Sequence, residues 1–200
     1  MNLLHHMLVS ESVRCSLLWP CKLRGQMLLG AIAPDAHTEV PGLGREMLHP
    51  TADIVESVLD IAEPLNMRRE RCRAFVVSVI AHLVADELTR PHRYHLPPHA
   101  PAGFLPVPDT EAGAPNVLDL EPITRSLIRA KSKCALGPLE PAAIDRKRWE
   151  VLGRWPLTEG EGHFLVVEPL AAVVDECAAE TLERLYHSEQ GAALLGSWRA

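Results

Sequence analysis

The residues best suited to chemistry lie in one short segment, AHLVADELTRPH, at positions 81–92. His82 and Asp86 are four positions apart, so on a helix their side chains project from one face about 6 Å apart. An imidazole and a carboxylate placed in this way can bind one zinc ion together. The alternative is a buried histidine that hydrogen-bonds Asp86, because a polar side chain inside an apolar helix needs a partner. His92 follows just after the expected helix end.

A second group of candidate ligands precedes this segment. Histidine is the commonest metal ligand, and ten of the 200 residues are histidines. Asp35 ends the apolar segment GAIAPD, and His49 lies in the loop that follows. Taken alone, an aspartate after proline is typical of a helix cap or a turn. His5 and His6 are adjacent on the first predicted helix, so only one of them can face the core, and the sequence leaves both open.

Helices are the elements that must position these residues. The spacing of apolar residues predicts helices at 3–18, 27–33 (a short helix or a turn), 53–62, 67–89, 121–131, 141–151 and 164–188. Thr51 is expected to cap the third of these helices, after a loop at 34–50. The β-branched run at 76–80 also fits a buried strand, but the length of its segment favours a helix.

The proline-rich segment 91–119 predicts a long irregular loop, and loops of this length often bind substrates. It begins directly after the HxxxD helix, so we expect it to border the metal site. The sequence therefore predicts an all-α fold, a single helical domain over residues 1–200 with long functional loops.

Composition excludes several classes of protein. A net charge of −6 and only 4% aromatic residues argue against a nucleic-acid partner. Five cysteines without a CxxC motif indicate reduced thiols and a cytoplasmic location. No signal peptide is expected, because the N-terminal residues lack a basic region and two histidines interrupt their apolar character. No transmembrane segment is expected, since no apolar run approaches 18 residues.

Taken together, the candidate residues resemble the zinc-dependent phospholipase C family, whose fold the trinuclear zinc nucleases share. The likeness covers roughly residues 3–95 and consists of the order of the motifs. A histidine on the first helix is followed by Pro-Asp, a loop histidine, HxxxD and a further histidine. The interval of fourteen from Asp35 to His49 agrees with the family pattern, as do the intervals of four and ten from His82 to Asp86 and His92.

The resemblance implies a centre of one to three zinc ions. The first ion would be held by four residues, Asp35, His49, His82 and Asp86. Asp86 would bridge to a second ion that His6 also binds, and His92 would be a ligand of another zinc ion. The family's later HxxxE or HxxxD motif is absent, since Glu183 and His187 run in the reverse order and are typical of an exposed helix pair.

The implied function is a zinc-dependent hydrolase of phosphoester bonds in a small molecule or lipid. A zinc-bound hydroxide would attack phosphorus, and Asp35 would be the catalytic general base. Two alternatives remain open, because a fold does not fix a reaction. One is a tailoring enzyme of a biosynthetic pathway on the same zinc fold, and the other is a catalytically inert metal-binding relative.

Overall fold

Helices make up most of the structure, a computed structural model that describes residues 3–50, 52–62, 65–89, 104–106, 117–119, 121–154, 163–166 and 168–196. Within these ranges the α-helices are α1 (Leu3–Ser16), α2 (Arg24–Ile32), α3 (Ile54–Ile61), α4 (Glu70–Thr89), α5 (Glu121–Arg129), α6 (Pro141–Arg154), α7 (Glu168–His187) and α8 (Glu189–Gly196). Short 3-10 helices lie at Cys21–Leu23, Pro34–Glu39 and Arg45–Met47. The prediction of a helical fold class is confirmed.

A small antiparallel sheet accompanies the helices. Its strands are β1 (Phe104–Pro106), β2 (Val117–Asp119) and β3 (His163–Val166), in the spatial order β1-β3-β2. The prediction of an irregular segment at 91–119 is therefore wrong where β1 and β2 lie, and the predicted helix at 164–188 begins only after β3. Strands this short depend on pairing with distant residues, so their own sequences give little sign of them.

The remaining differences from the sequence prediction include three short helices that it lacks and one helix cap. The predicted loop at 34–50 contains two of the 3-10 helices, and α8 was not predicted. Asp53, and not Thr51, stands at the N-cap of α3, where it adopts a left-handed φ of 44°. Thr51 lies outside the described residues.

Helix α4 is the centre of the packing. Its side chains are buried without interruption from Cys72 to Asp86, and it contacts α1, α2, α3 and α7. The strand alternative for 76–80 is therefore wrong, because these residues form the buried middle of a helix. Among the described residues, no helix has both the length and the apolar character that crossing a bilayer requires.

The close approach of α2 to α4 depends on Gly30. A Cβ atom at this position would lie 2.3 Å from the Phe75 carbonyl oxygen and 2.8 Å from the Ser78 Cβ. Only glycine allows two backbones to pack so tightly. This contact brings the end of α2 against the half of α4 that contains His82.

Candidate metal centre

Three buried histidines and two aspartates from four segments meet at one place. Helix α1 contributes His6, the 3-10 helix Pro34–Glu39 contributes Asp35, and α4 contributes His82 and Asp86. His49 follows the 3-10 helix Arg45–Met47. Two sets of three have ligand atoms within 4.8 Å of one another, namely His6, Asp35 and His82, and His49, His82 and Asp86. The structure thus brings together five of the six predicted ligands.

His82 is held with one nitrogen free to bind a ligand. Its side chain is fully buried, and its Nδ1 lies 2.7 Å from the Ala31 carbonyl oxygen. A carbonyl can only accept, so Nδ1 bears the proton and donates it. The other nitrogen, Nε2, therefore has a lone pair, yet it is buried without a hydrogen-bond partner. Leaving such a group unpaired costs about 1–3 kcal/mol, which favours a missing partner such as a metal ion.

His49 repeats the same arrangement from the opposite side. Its Nδ1 donates to the Arg45 carbonyl oxygen at 3.1 Å, and its Nε2 is buried without a hydrogen bond. This Nε2 lies 3.6 Å from Asp35 Oδ1 and 3.8 Å from Asp86 Oδ2. Metal-binding histidines usually donate their second N–H to a backbone carbonyl or a carboxylate, which fixes the ring and its tautomer. Both histidines meet that condition.

His6, and not its neighbour His5, is the histidine of α1 that joins the cluster. Its ring stacks on His82 with centroids 3.7 Å apart, and its Nε2 lies 3.4 Å from Asp86 Oδ1. Its Nδ1 is a further buried nitrogen without a hydrogen-bond partner. His5 is also buried, so the expectation that only one of the two is turned inward is wrong, but it belongs to neither of the two sets.

The protonation states are those that metal binding requires. Burial, with a smaller contribution from His6, lowers the pKa of His82 to about 3, and burial also lowers the pKa of His6. Burial opposes ionisation of the two carboxyls, but the neighbouring histidines together outweigh it. They hold the pKa of Asp35 and of Asp86 well below the usual range, with His49 the largest favourable contributor at Asp35 and His6 at Asp86. Neutral imidazoles and ionised carboxylates are ready to bind a cation near pH 7.

The separations fit the coordination shell of a single zinc ion. Ligand atoms placed tetrahedrally at 2.0–2.2 Å from zinc lie about 3.3–3.6 Å from one another. The contacts from His49 Nε2 to Asp35 and Asp86, at 3.6 and 3.8 Å, are close to that range. His82 has only Nε2 to offer, so it can bind one ion at a time although it belongs to both sets. The residues therefore fit one zinc ion.

The sixth predicted ligand and the Glu183–His187 pair have different outcomes. His92 lies outside the described residues. Glu183 and His187 form an exposed pair on α7, with Oε1 and Nε2 4.0 Å apart, as expected for an ordinary helix surface.

Arg45 belongs to the site although sequence reasoning missed it. Its guanidinium forms an ion pair with Asp86 Oδ2, and its carbonyl oxygen accepts the bond from His49. One signal was present in the sequence. Arg45 is the only lysine or arginine between residues 34 and 50, and it lies four residues before His49.

The chain matches no family model, no curated protein and no solved structure.

Proposed function

We propose that this protein is a zinc-dependent hydrolase of phosphoester bonds, similar to the phospholipase C family. One observation supports the metal above all others. The Nε2 atoms of His49 and His82 are buried without hydrogen bonds, while the opposite nitrogen of each ring donates to a backbone carbonyl. Such pairs of oriented imidazoles beside carboxylates are typical of zinc ligands.

The ligand set favours zinc over the harder cations. Magnesium and calcium prefer oxygen ligands, whereas imidazole nitrogens suit zinc. Asp35, His49, His82 and Asp86 would hold the first ion of a centre of one to three ions, with His6 beside it. When bound, zinc lowers the pKa of a coordinated water to about 7 and polarises a phosphoryl oxygen.

Asp35 is the residue that we propose as the catalytic carboxylate. Its side chain is 26% exposed, whereas that of Asp86 is only 5% exposed, so Asp35 lies on the solvent side of the cluster. Its lowered pKa keeps it ionised at neutral pH. In this state Asp35 accepts a hydrogen bond from the attacking water and orients it, and the proton then passes to solvent.

The substrate class follows from charge. The chain has a net charge of −6, which favours a small-molecule or lipid phosphoester over a polynucleotide. The five free thiols accord with the cytoplasmic location that we propose.

A catalytically inert metal-binding relative is the second candidate. Arg45 favours it, because its guanidinium neutralises part of the charge of Asp86 without any metal. A tailoring enzyme that uses the same zinc ligands for another reaction remains the third.

The hydrolase is tested with two variants and a matched control. His82→Ala should lower zinc content, measured by elemental analysis, because it removes a ligand. Asp35→Asn should reduce turnover by about 100-fold or more, a far larger effect than on the free energy of unfolding, provided that zinc is retained, since it keeps the shape but removes the charge. His187→Ala, on the exposed surface of α7, should leave both properties unchanged.

The assay is a panel of phospholipid, nucleotide and aryl phosphoesters with and without a chelator. Hydrolysis that the chelator abolishes and zinc restores would support the proposal. Bound zinc without turnover of any phosphoester would contradict the hydrolase and favour the inert relative or the tailoring enzyme.

A further inference from the structure

Arg45 lies between solvent and the buried carboxylate of the metal centre. The Arg45 side chain is 44% exposed, whereas the Asp86 side chain that it contacts is 5% exposed. A ligand that approaches Asp86 from this side therefore meets the guanidinium first.

The backbone of Arg45 is fixed relative to the candidate ligands. The residue begins the 3-10 helix Arg45–Met47, and its carbonyl oxygen accepts the hydrogen bond from His49 Nδ1 at 3.1 Å. The same residue therefore orients a ligand with its backbone and contacts a second ligand with its side chain. Its long side chain can change partner without moving His49.

The charges of the centre leave Arg45 in excess once a divalent cation is present. Asp35 and Asp86 together bring two negative charges, which one zinc ion neutralises. The guanidinium and the cation then compete for the same carboxylate and repel each other. The metal-loaded centre with Arg45 thus has one positive charge in excess and needs an anionic ligand to balance it.

We propose that Arg45 binds a phosphoryl group of the substrate beside the metal, and that its pairing with Asp86 is the resting arrangement of the metal-free protein. The inference rests on the proposed function and names a specificity-determining residue for it. The planar guanidinium presents parallel N–H donors that match two oxygens of a phosphate, which a single ammonium group does not. Arg45 therefore favours phosphate-containing ligands over carboxylic esters and amides.

The test measures binding, without turnover. Zinc is titrated calorimetrically into metal-stripped wild type, Arg45→Gln, Arg45→Lys and the control Arg125→Gln, in which the altered arginine is exposed and pairs with Glu121 on α5. Inorganic phosphate is then titrated into each zinc-loaded protein after removal of free zinc. Thermal unfolding checks that every variant is folded.

We expect Arg45→Gln to bind zinc at least as tightly as wild type, because a competing cation is gone. Its affinity for phosphate should fall by about 10- to 100-fold, the loss expected for hydrogen bonds from a charged group. Arg45→Lys should be intermediate, and Arg125→Gln should match wild type in both titrations.

The outcomes separate this inference from the proposed function. A wild-type protein that binds no zinc would overturn both. Zinc binding with equal phosphate affinity in wild type and Arg45→Gln would overturn the inference alone. Loss of zinc from folded Arg45→Gln would also overturn it, since Arg45 would then help to hold the metal.

Discussion

Gly30→Ala is the substitution that tests how packing positions the metal centre. The new Cβ would lie 2.3 Å from the Phe75 carbonyl oxygen, where non-bonded heavy atoms keep about 3.5 Å. Helices α2 and α4 must therefore separate by roughly 1 Å. The cost of such overpacking is about 1–3 kcal/mol, and the better helix propensity of alanine offsets at most about 1 kcal/mol of it.

The same movement should weaken zinc binding. The bond from His82 Nδ1 to the Ala31 carbonyl is 2.7 Å long, and an additional 1 Å would take it beyond hydrogen-bond range. Loss of the group that orients a histidine ligand typically lowers metal affinity about 10- to 100-fold. Urea unfolding gives the stability, and calorimetric titration of zinc into the metal-stripped protein gives the affinity.

Gly153→Ala is the matched control. This glycine lies in α6, and a Cβ there would contact nothing within 4 Å, so the substitution should be neutral or slightly stabilising. The reasoning would be refuted if Gly30→Ala were as stable as Gly153→Ala, or if it bound zinc as tightly as wild type.

Two further predictions concern parts of the chain away from the cluster. Burial, together with the neighbouring Cys72, raises the pKa of Cys134 to about 12, so this thiol should react with Ellman's reagent at pH 8 roughly tenfold or more slowly than the exposed cysteines. Equal rates would contradict its burial. Glu11 contacts Arg14 at 2.8 Å and Arg24 at 2.7 Å; burial opposes its ionisation, but these bonds lower its pKa from the ordinary 4.5. Ionised Glu11 therefore stabilises the fold above about pH 4.5, and this contribution is lost as the pH falls through the lowered pKa. Glu11→Gln should reduce the free energy of unfolding by about 1–3 kcal/mol at pH 7 and by less in acid, and a difference that stays constant with pH would be the contrary result.

The helices could be predicted because their signal is local. The apolar run of α4 and the periodic apolar residues of α1 each lie within a single segment of the sequence. Proline residues also mark where several of the helices end. Strands β1, β2 and β3 could not be predicted, because three or four residues gain stability only from partners far along the chain. The turn structure between α2 and α3 was missed for a similar reason, since its 3-10 helices lack a hydrophobic period.

Within the candidate site, only the pair His82 and Asp86 follows from local spacing. The positions of Asp35 and His49 were expected from the resemblance to a family, because nothing in their own segments requires them to approach α4. Arg45 was missed because one arginine in a loop is ordinarily a solvated surface residue. The contact of Arg45 with Asp86 depends on the fold and could not be predicted from the sequence around it.

A second layer of polar contacts, one helical turn away from the cluster, helps to hold the candidate ligands of α1 and α4 together. Ser78 lies four residues before His82 on α4, and its hydroxyl donates to the Met27 carbonyl oxygen, four residues before Ala31 on α2. It also contacts the hydroxyl of Ser10 at 2.7 Å, and Ser10 lies four residues after His6 on α1. Helices α1, α2 and α4 are thus linked at two levels, once by the histidines and once by the serines, about 6 Å apart along the helix axes. Each layer joins a side chain of α4 to a carbonyl of α2 and a side chain of α1, so the serine layer restricts rotation of these helices. Because rotation is restricted, the histidines of α1 and α4 are held face to face before any metal binds.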